Sequence, residues 1–244
     1  MRPTLFLSDL HLSAERGDLV AAFLAFCAGP ARGADAVYIL GDLFDAWIGD
    51  DQLREPVAAA VAGALRELAV AGVRIGIVRG NRDFLLGERF ARASGATLLP
   101  EQLVVDVQGE PTLILHGDEL CTADPAYQRY RRIMRKPGLQ RLLLALPYPA
   151  RRAIVGGLRR ESRRASAAKP EPIMDVTPDA VVTTLRAHGV QRMIHGHTHR
   201  PAHHRLHVDG RDADRVVLAD WYARGSYLEC VPGRQTVRIV EPWR

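Results

Sequence analysis

A chain of 244 residues is long enough for one large α/β domain, or for one domain with an insertion. With 47% hydrophobic and 25% charged residues it has the make-up of an ordinary globular protein, so disorder is not the default. Three cysteines (Cys27, Cys121, Cys230), an odd number without CxxC spacing, argue against a disulfide framework or zinc knuckle and for a reducing compartment. No apolar run approaches the ~18 residues of a membrane span, and the chain runs almost directly into a strand. A cytoplasmic protein is therefore expected.

The net charge of +5 is unevenly spread. Between Arg129 and Lys169 there are 13 lysines and arginines and one acid, Glu161, a net +12, which leaves −7 for the remainder. One segment is composed to meet an anionic partner.

In chain order, Thr4–Leu7 reads as a strand, Asp18–Cys27 as a helix and Ala36–Leu40 as a strand. Leu53–Ala71 reads as a helix rich in alanine and leucine, and Val73–Val78 as the next strand. This βαβα order implies neighbouring parallel strands with helices on the faces, and such sheets bind ligands beyond the strands' carboxyl ends. Leu103–Val107 and Thr112–Leu115 read as a strand pair around the turn Gln108-Gly109-Glu110-Pro111. From Pro125 to Lys169 the sequence is basic, helix-rich and broken by Pro137, Pro147 and Pro149. Its apolar residues are grouped (Ile133, Met134, Leu139, Leu142, Leu143, Leu144, Leu146, Ile154, Val155, Leu158). Two or three short amphipathic helices forming a cap over about 123–170 are expected. Thr177 to His188 reads as a helix capped at Thr177-Pro178-Asp179. The segments after His199 (202–208, 215–218, 227–231, 236–240) suggest a second, largely antiparallel sheet.

Strand ends carry the chemistry. Asp9-Leu10-His11, Gly41-Asp42, Gly80-Asn81-Arg82-Asp83, His116-Gly117-Asp118 and His195-Gly196-His197-Thr198-His199 each follow an apolar run. Carboxylate, imidazole and amide oxygen together favour Mn²⁺ or Fe²⁺ over a structural Zn²⁺, which would recruit thiolates. His195, His203, His204 and His207 read as structural or exposed, and Asp83 and Asp118 as residues that orient ligands.

These blocks, in this order and over most of the chain, resemble the calcineurin-like metallophosphoesterases. The resemblance implies a four-layer α/β/β/α sandwich with the helical cap inserted, and two Mn²⁺ ions per chain. Asp9, His11 and His199 would hold one metal, Asn81, His116 and His197 the other, with Asp42 bridging. Such ions stand ~3.5–4 Å apart and clamp an in-line displacement at phosphorus. Family members that cleave simple esters usually have Gly-Asn-His-Asp/Glu where this chain has Arg82. Arginine stabilises phosphate charge but cannot donate a proton, so Arg82 points to a good leaving group and hence to pyrophosphate cleavage.

Gly80-Asn81-Arg82-Asp83-Phe84, His116-Gly117-Asp118-x-Leu120-Cys121-Thr122 and Ile173-Met174-Asp175-Val176 extend the resemblance to the branch acting on UDP-2,3-diacylglucosamine. That branch implies attack at the α-phosphorus, giving UMP and 2,3-diacylglucosamine 1-phosphate, a step of lipid A biosynthesis. Asp42, Asn81, Arg82 and His197 would carry catalysis. Asn81, Arg82 and His197 would touch phosphate, and Asp124, Ser162, Ser166 and Lys169 the sugar, its linkages or the phosphates. Tyr127 and Arg159 are further candidates. Ser166 stands where related enzymes often have asparagine, so a hydrogen bond there would be lost or made through water. The implied partners are the lipid-linked nucleotide sugar and the inner-leaflet membrane surface, with a monomer lying peripherally on its cytoplasmic face.

The alternatives are a nuclease or a nucleotide phosphodiesterase or pyrophosphatase of the same superfamily. Against nucleic acid, the cap offers only Tyr130 and Tyr148 for base stacking. Its leucines suit acyl chains or a membrane interface.

Overall fold

The computed structural model describes residues 2–167, 175–222 and 225–239, and of the side chains within these spans all but those of 159–167, 237 and 239. One sheet runs in the order β11-β10-β1-β2-β3-β4, the other β5-β6-β7-β9-β8. The first contains β1 (Thr4–Leu7), β2 (Ala36–Leu40), β3 (Arg74–Val78), β4 (Thr97–Leu98), β10 (Ser226–Val231) and β11 (Arg234–Ile239). The second contains β5 (Gln102–Val107), β6 (Glu110–Leu115), β7 (Arg192–His195), β8 (Ala202–Val208) and β9 (Arg211–Val217).

The period-2 alternation of the strands sorts their side chains into three apolar layers. Leu5, Leu7, Val37 and Ile39 pack with Phe23, Phe26, Val61, Leu65 and Phe90. Those partners come from α1 (Gly17–Ala28), α2 (Pro56–Val70) and α3 (Glu88–Ser94). Phe6, Leu40 and Val78, one residue out of phase, meet Ile114, Ile194, Val216 and Leu228 between the sheets. Leu113, Leu115 and Met193 face Val181 and Leu185 of α7 (Pro178–His188). The result is the α/β/β/α sandwich expected. β1, β2 and β3 pair in parallel, as do β6, β7 and β9, so their carboxyl ends meet along one rim.

Three details differ from the sequence reading. The strands after His199 do not make a sheet of their own. β8 and β9 extend β7, while β10 returns antiparallel to β1. Their alternation looks alike, and only the partner available at each edge separates them. The hairpin turn is shorter, because Glu110 and Pro111 already pair with Val107 and Asp106 and only Gln108-Gly109 turns. Thr177 does not cap α7 with its side chain, since its Oγ1 lies 2.6 Å from the Thr122 hydroxyl.

Between β6 and α7 lie α4 (Pro125–Met134), α5 (Pro137–Ala145) and α6 (Tyr148–Ala167), the last longer than expected at 20 residues. Each begins at or beside a proline, which fixes φ and needs no amide partner in a first turn. They are fastened to the sandwich through polar groups. Buried Arg151 donates from Nη1 to Ile48 O (2.7 Å) and from Nε to Leu146 O (3.1 Å), and pairs with Asp51. Arg151→Ala would orphan these acceptors, a loss of about 1.5–3 kcal/mol for bonds to a charged donor. Because the contact ties only α5 and α6 to the loop at Ile48–Asp51, the variant is expected to be cut at least tenfold faster by protease within residues 136–158. The thermal midpoint of the sandwich should move little, and an unchanged cleavage rate would sink this account.

Candidate metal centre

The rim is built by loops that leave the strands and zip to one another. Asp9 N donates to Gly41 O (3.1 Å), His11 N to Asp42 O (2.9 Å) and Trp47 N to Arg82 O (3.0 Å). On the second sheet Gly196 N donates to His116 O (2.9 Å). The loops approach so closely that side chains are excluded at their glycines. A Cβ on Gly41 would stand 2.4 Å from His116 Nδ1, and one on Gly196 2.0 Å from Ser8 Oγ and 2.3 Å from Asp9 Oδ2. Asp9, His11, Asp42, His197 and His199 have φ between 49° and 71°. That left-handed region is costly for residues with a Cβ and is cheapest for Asn, Asp and His.

Two groups of donors converge there. Asp9, His11 and His199 form one, and Asp9, Asp42 and His116 the other. His11 Nε2 lies 3.5 Å from His199 Nε2 and 4.0 Å from Asp42 Oδ2, and His199 Nε2 is 3.3 Å from Asp9 Oδ1. In the second group His116 Nε2 is 3.0 Å from Asn81 Oδ1 and 3.8 Å from Asp42 Oδ1. The His197 ring packs edge-on to His116 with centroids 4.9 Å apart. All seven candidate metal ligands are thus brought to one place; Asp9 is common to both groups, and Asp42 turns Oδ2 toward His11 and Oδ1 toward His116.

The donor set fits divalent cations. Asp9 Oδ2 accepts from Ser8 Oγ (2.6 Å) and His197 N (2.8 Å), while the buried Oδ1 is turned to His199 Nε2 at 3.3 Å, a second ligand-type atom. His116 Nδ1 donates to Leu40 O at 2.8 Å, which leaves the Nε2 lone pair facing the Asn81 oxygen. Without a cation, a proton must stand in. Burial works against a charged His116, yet Asp42, Asp9 and Asp118 outweigh it and raise its pKa to about 9. Burial pushes Asp42 up to about 7, and Asp83 and Asp9 add to it. Burial lowers His11 and His197 to about 3, keeping both imidazoles neutral.

The supporting residues are of three kinds. Asp83 accepts from Gly80 N (2.7 Å) and Leu43 N (2.8 Å), locking the loops that carry Asn81 and Asp42. Asp118, fully buried, accepts from Tyr127 Oη (3.2 Å), Arg131 Nε (2.8 Å) and Arg135 Nη2 (3.4 Å). Arg135 also donates to Gly80 O (3.2 Å). Asp220 Oδ2 lies 3.3 Å from His199 Nδ1, where it fixes the ring and leaves Nε2 for a metal. Reading the sequence missed Asp220, although it follows the end of β9 as the other acids follow theirs. It also missed Arg131 and Arg135, whose four-residue spacing puts both on one helix face.

Among the substrate candidates, Arg82 donates its backbone N–H to Asp42 Oδ1 (2.8 Å), and its guanidinium has no carboxylate partner among the described residues. Tyr127 stacks on His197 with centroids 5.9 Å apart. Asp124 caps α4, accepting from Tyr127 N at 3.0 Å. Arg159, Ser162 and Ser166 stand on the α6 backbone with side chains outside the described residues, and Lys169 lies outside them altogether. His195 is buried, 3.3 Å from Arg215, while His203 and His207 pair with Asp214 and Asp212 in the open.

This rosette of acids and imidazoles on a two-sheet rim is the arrangement of a metallophosphoesterase. The chain belongs to the calcineurin-like phosphoesterase family, whose model matches residues 2–201. It is 52% identical over 225 residues to the UDP-2,3-diacylglucosamine hydrolase of Pseudomonas paraeruginosa, covering 92% of this chain and 93% of the relative. The proteins of that name from Aeromonas salmonicida and Escherichia coli are 50% and 51% identical, over 95% and 93% of this chain and 91% and 94% of theirs.

Two expectations follow. Asp220→Ala should weaken Mn²⁺ binding about 10–100-fold, as loss of a carboxylate that orients a metal-bound histidine does, with direct titration as the check. An affinity equal to wild type would remove Asp220 from the site. With His116 raised to about 9, its metal-free imidazole is protonated at pH 7 and must lose that proton on loading. Apparent affinity should therefore rise with pH toward 9, and the binding heat at pH 7 should depend on the ionisation enthalpy of the buffer. A buffer-independent heat would count against it.

Proposed function

We propose that this site hydrolyses the pyrophosphate bond of UDP-2,3-diacylglucosamine, a reaction of lipid A biosynthesis, by water attack at the α-phosphorus to give UMP and 2,3-diacylglucosamine 1-phosphate. The observation that carries the reading is Arg82, tied by its N–H to Asp42, with a guanidinium that has no carboxylate partner among the described residues and whose charge is felt at His11 and Asp42, and with exposed apolar side chains on the helices that follow. The names of relatives at 50–52% identity over nearly their whole length support the same substrate.

Asp9, His11, Asp42 and His199 would hold one cation, and Asp42, Asn81, His116 and His197 the second, both Mn²⁺. When bound, the cations supply Lewis acidity and an activated water. The remaining work falls to the chain's own residues. Arg82 holds the phosphoryl oxygens and offsets the charge that builds on them. Asn81 and His197 border the same oxygens. Arg131, Arg135 and Tyr127 hold α4 against Asp118, so the helices shield the site from water. Tyr130, Ile133, Leu142, Leu144, Ile154 and Leu158 expose apolar surface on α4–α6 and offer lodging for two acyl chains. By the resemblance, Asp124, Tyr127, Arg159, Ser162, Ser166 and Lys169 would contact the sugar, its linkages or the phosphates, the side chains of the last four lying outside the described residues. The chain is one domain, 1–244, with the cap inserted.

Membrane contact belongs to the same proposal. No described helix is long and apolar enough to cross a membrane. Exposed Arg129, Arg132, Lys136, Arg141 and Arg152 stand among the exposed leucines, a pattern that suits peripheral attachment of a monomer to the inner leaflet.

The test is hydrolysis with Mn²⁺ of UDP-2,3-diacylglucosamine beside UDP-glucose, a bis-nitrophenyl phosphate and single-stranded DNA. Fast UMP release from the lipid alone is expected, and Arg82→Ala should lower kcat/KM about 100-fold. Cleavage of DNA or the simple diester with the lipid untouched would overturn the substrate.

A further inference from the structure

We propose that Tyr222 is the platform on which the uracil ring of the substrate stacks, which fixes the direction in which the nucleotide sugar lies across the metal centre. The inference rests on the nucleotide-sugar reading above and adds the residue that recognises its nucleotide end.

Tyr222 lies almost parallel to His11, with centroids 5.1 Å apart and planes at 16°, and tilts against His199 at 5.6 Å. The ring is nonetheless 47% exposed. With one face covered by His11, that exposure falls on the opposite face and edge. Its backbone is firmly placed. Trp221, wholly buried, donates from its backbone N to Asp9 O (3.1 Å) and from Nε1 to Ser226 O (2.9 Å). Tyr222 N donates to Asp220 Oδ1 (3.0 Å), and Arg16 Nη2 donates to Tyr222 O (3.2 Å). An exposed aromatic ring held this way loses little conformational entropy when a planar ligand settles on it. Nothing in the sandwich core requires it to be exposed.

Direction follows from the sides of the rosette. Tyr127, on α4, stacks on His197 and its hydroxyl is taken by Asp118, so the cap borders the His116–His197 group. Tyr130, its ring 6.5 Å from that of Tyr127, exposes apolar surface of α4 on that side. Tyr222 borders the other group, His11 and His199, and belongs to the segment after β9. Arg82 is tied through its backbone N–H to Asp42 Oδ1 (2.8 Å), and Asp42 faces both His11 and His116, so Arg82 is rooted between the two sides. A substrate with its acyl chains on the cap and its pyrophosphate at Arg82 must lay its base toward Tyr222. Stacking on an aromatic face tolerates any base, so Tyr222 supplies affinity for a nucleotide without choosing uracil from cytosine.

The experiment uses the Mn²⁺-loaded full chain and compares inhibition by UMP with inhibition by inorganic phosphate, for wild type, Tyr222→Leu, Tyr222→Phe and Tyr130→Leu. Tyr222→Leu should raise the UMP inhibition constant about tenfold or more while that of phosphate stays within about twofold, and Tyr222→Phe should restore UMP affinity. A parallel rise for phosphate would show Tyr222 acting only through the packing of His11 and His199, and would overturn the proposal. So would unchanged UMP affinity in Tyr222→Leu, or a loss confined to Tyr130→Leu. If wild type releases UMP from the lipid but Tyr222→Leu binds UMP normally, only the stacking role falls. If wild type leaves the lipid substrate intact, the underlying reading falls with it.

Discussion

Two carboxylates buried side by side, Asp9 and Asp42, set the terms for the whole rim. Like charges held out of water repel strongly unless positive charge is brought to them. The chain surrounds them with His11, His116 and His199, and burial keeps some of these imidazoles neutral and so free to bind a cation. The consequence is a site whose parts are satisfied only together. Asp9 has one oxygen held by Ser8 and the His197 amide and the other turned to His199 Nε2, and His116 has one nitrogen committed to the backbone and the other facing oxygen. That division orients each donor before any ion arrives.

The same constraint shapes the backbone. Five ligand candidates take up left-handed φ, and the loops that carry them pack too closely for a side chain at Gly41 or Gly196. Such strain persists only where the surroundings over-determine it, and here the amide bonds between loops and the Asp83 carboxylate do so. The sheets hold the loops, and the loops hold the chemistry.

The basic segment shows how composition divides between structure and function. Its net charge suggested a surface for an anionic partner, but Arg131, Arg135 and Arg151 turn inward to Asp118, Glu101 and Asp51 and fasten the helices to the sandwich. The outward charge is therefore smaller than the sequence total. The leucines and isoleucines left exposed beside it are consistent with lipid rather than with a stacked nucleic acid.

The sequence by itself determined the donors and the layers. Metal-type residues directly after β-branched or leucine-rich runs mark strand ends, and the two-residue alternation of Leu5-Phe6-Leu7 or Leu113-Ile114-Leu115 decides which layer each side chain enters. Both are local properties of the chain, so both were legible. Tertiary structure alone decided the partners. β10 could pair with β1 or join the second sheet, because strand pairing depends on which edge is free once the rest has folded. Asp220 and Tyr222 gained their places beside His199 and His11 only when the segment after β9 was brought to the rim. Whether an arginine of the cap reaches a buried acid or the solvent likewise depends on contacts between residues as distant as Arg151 and Asp51. Such contacts leave no trace in the periodicity of either segment.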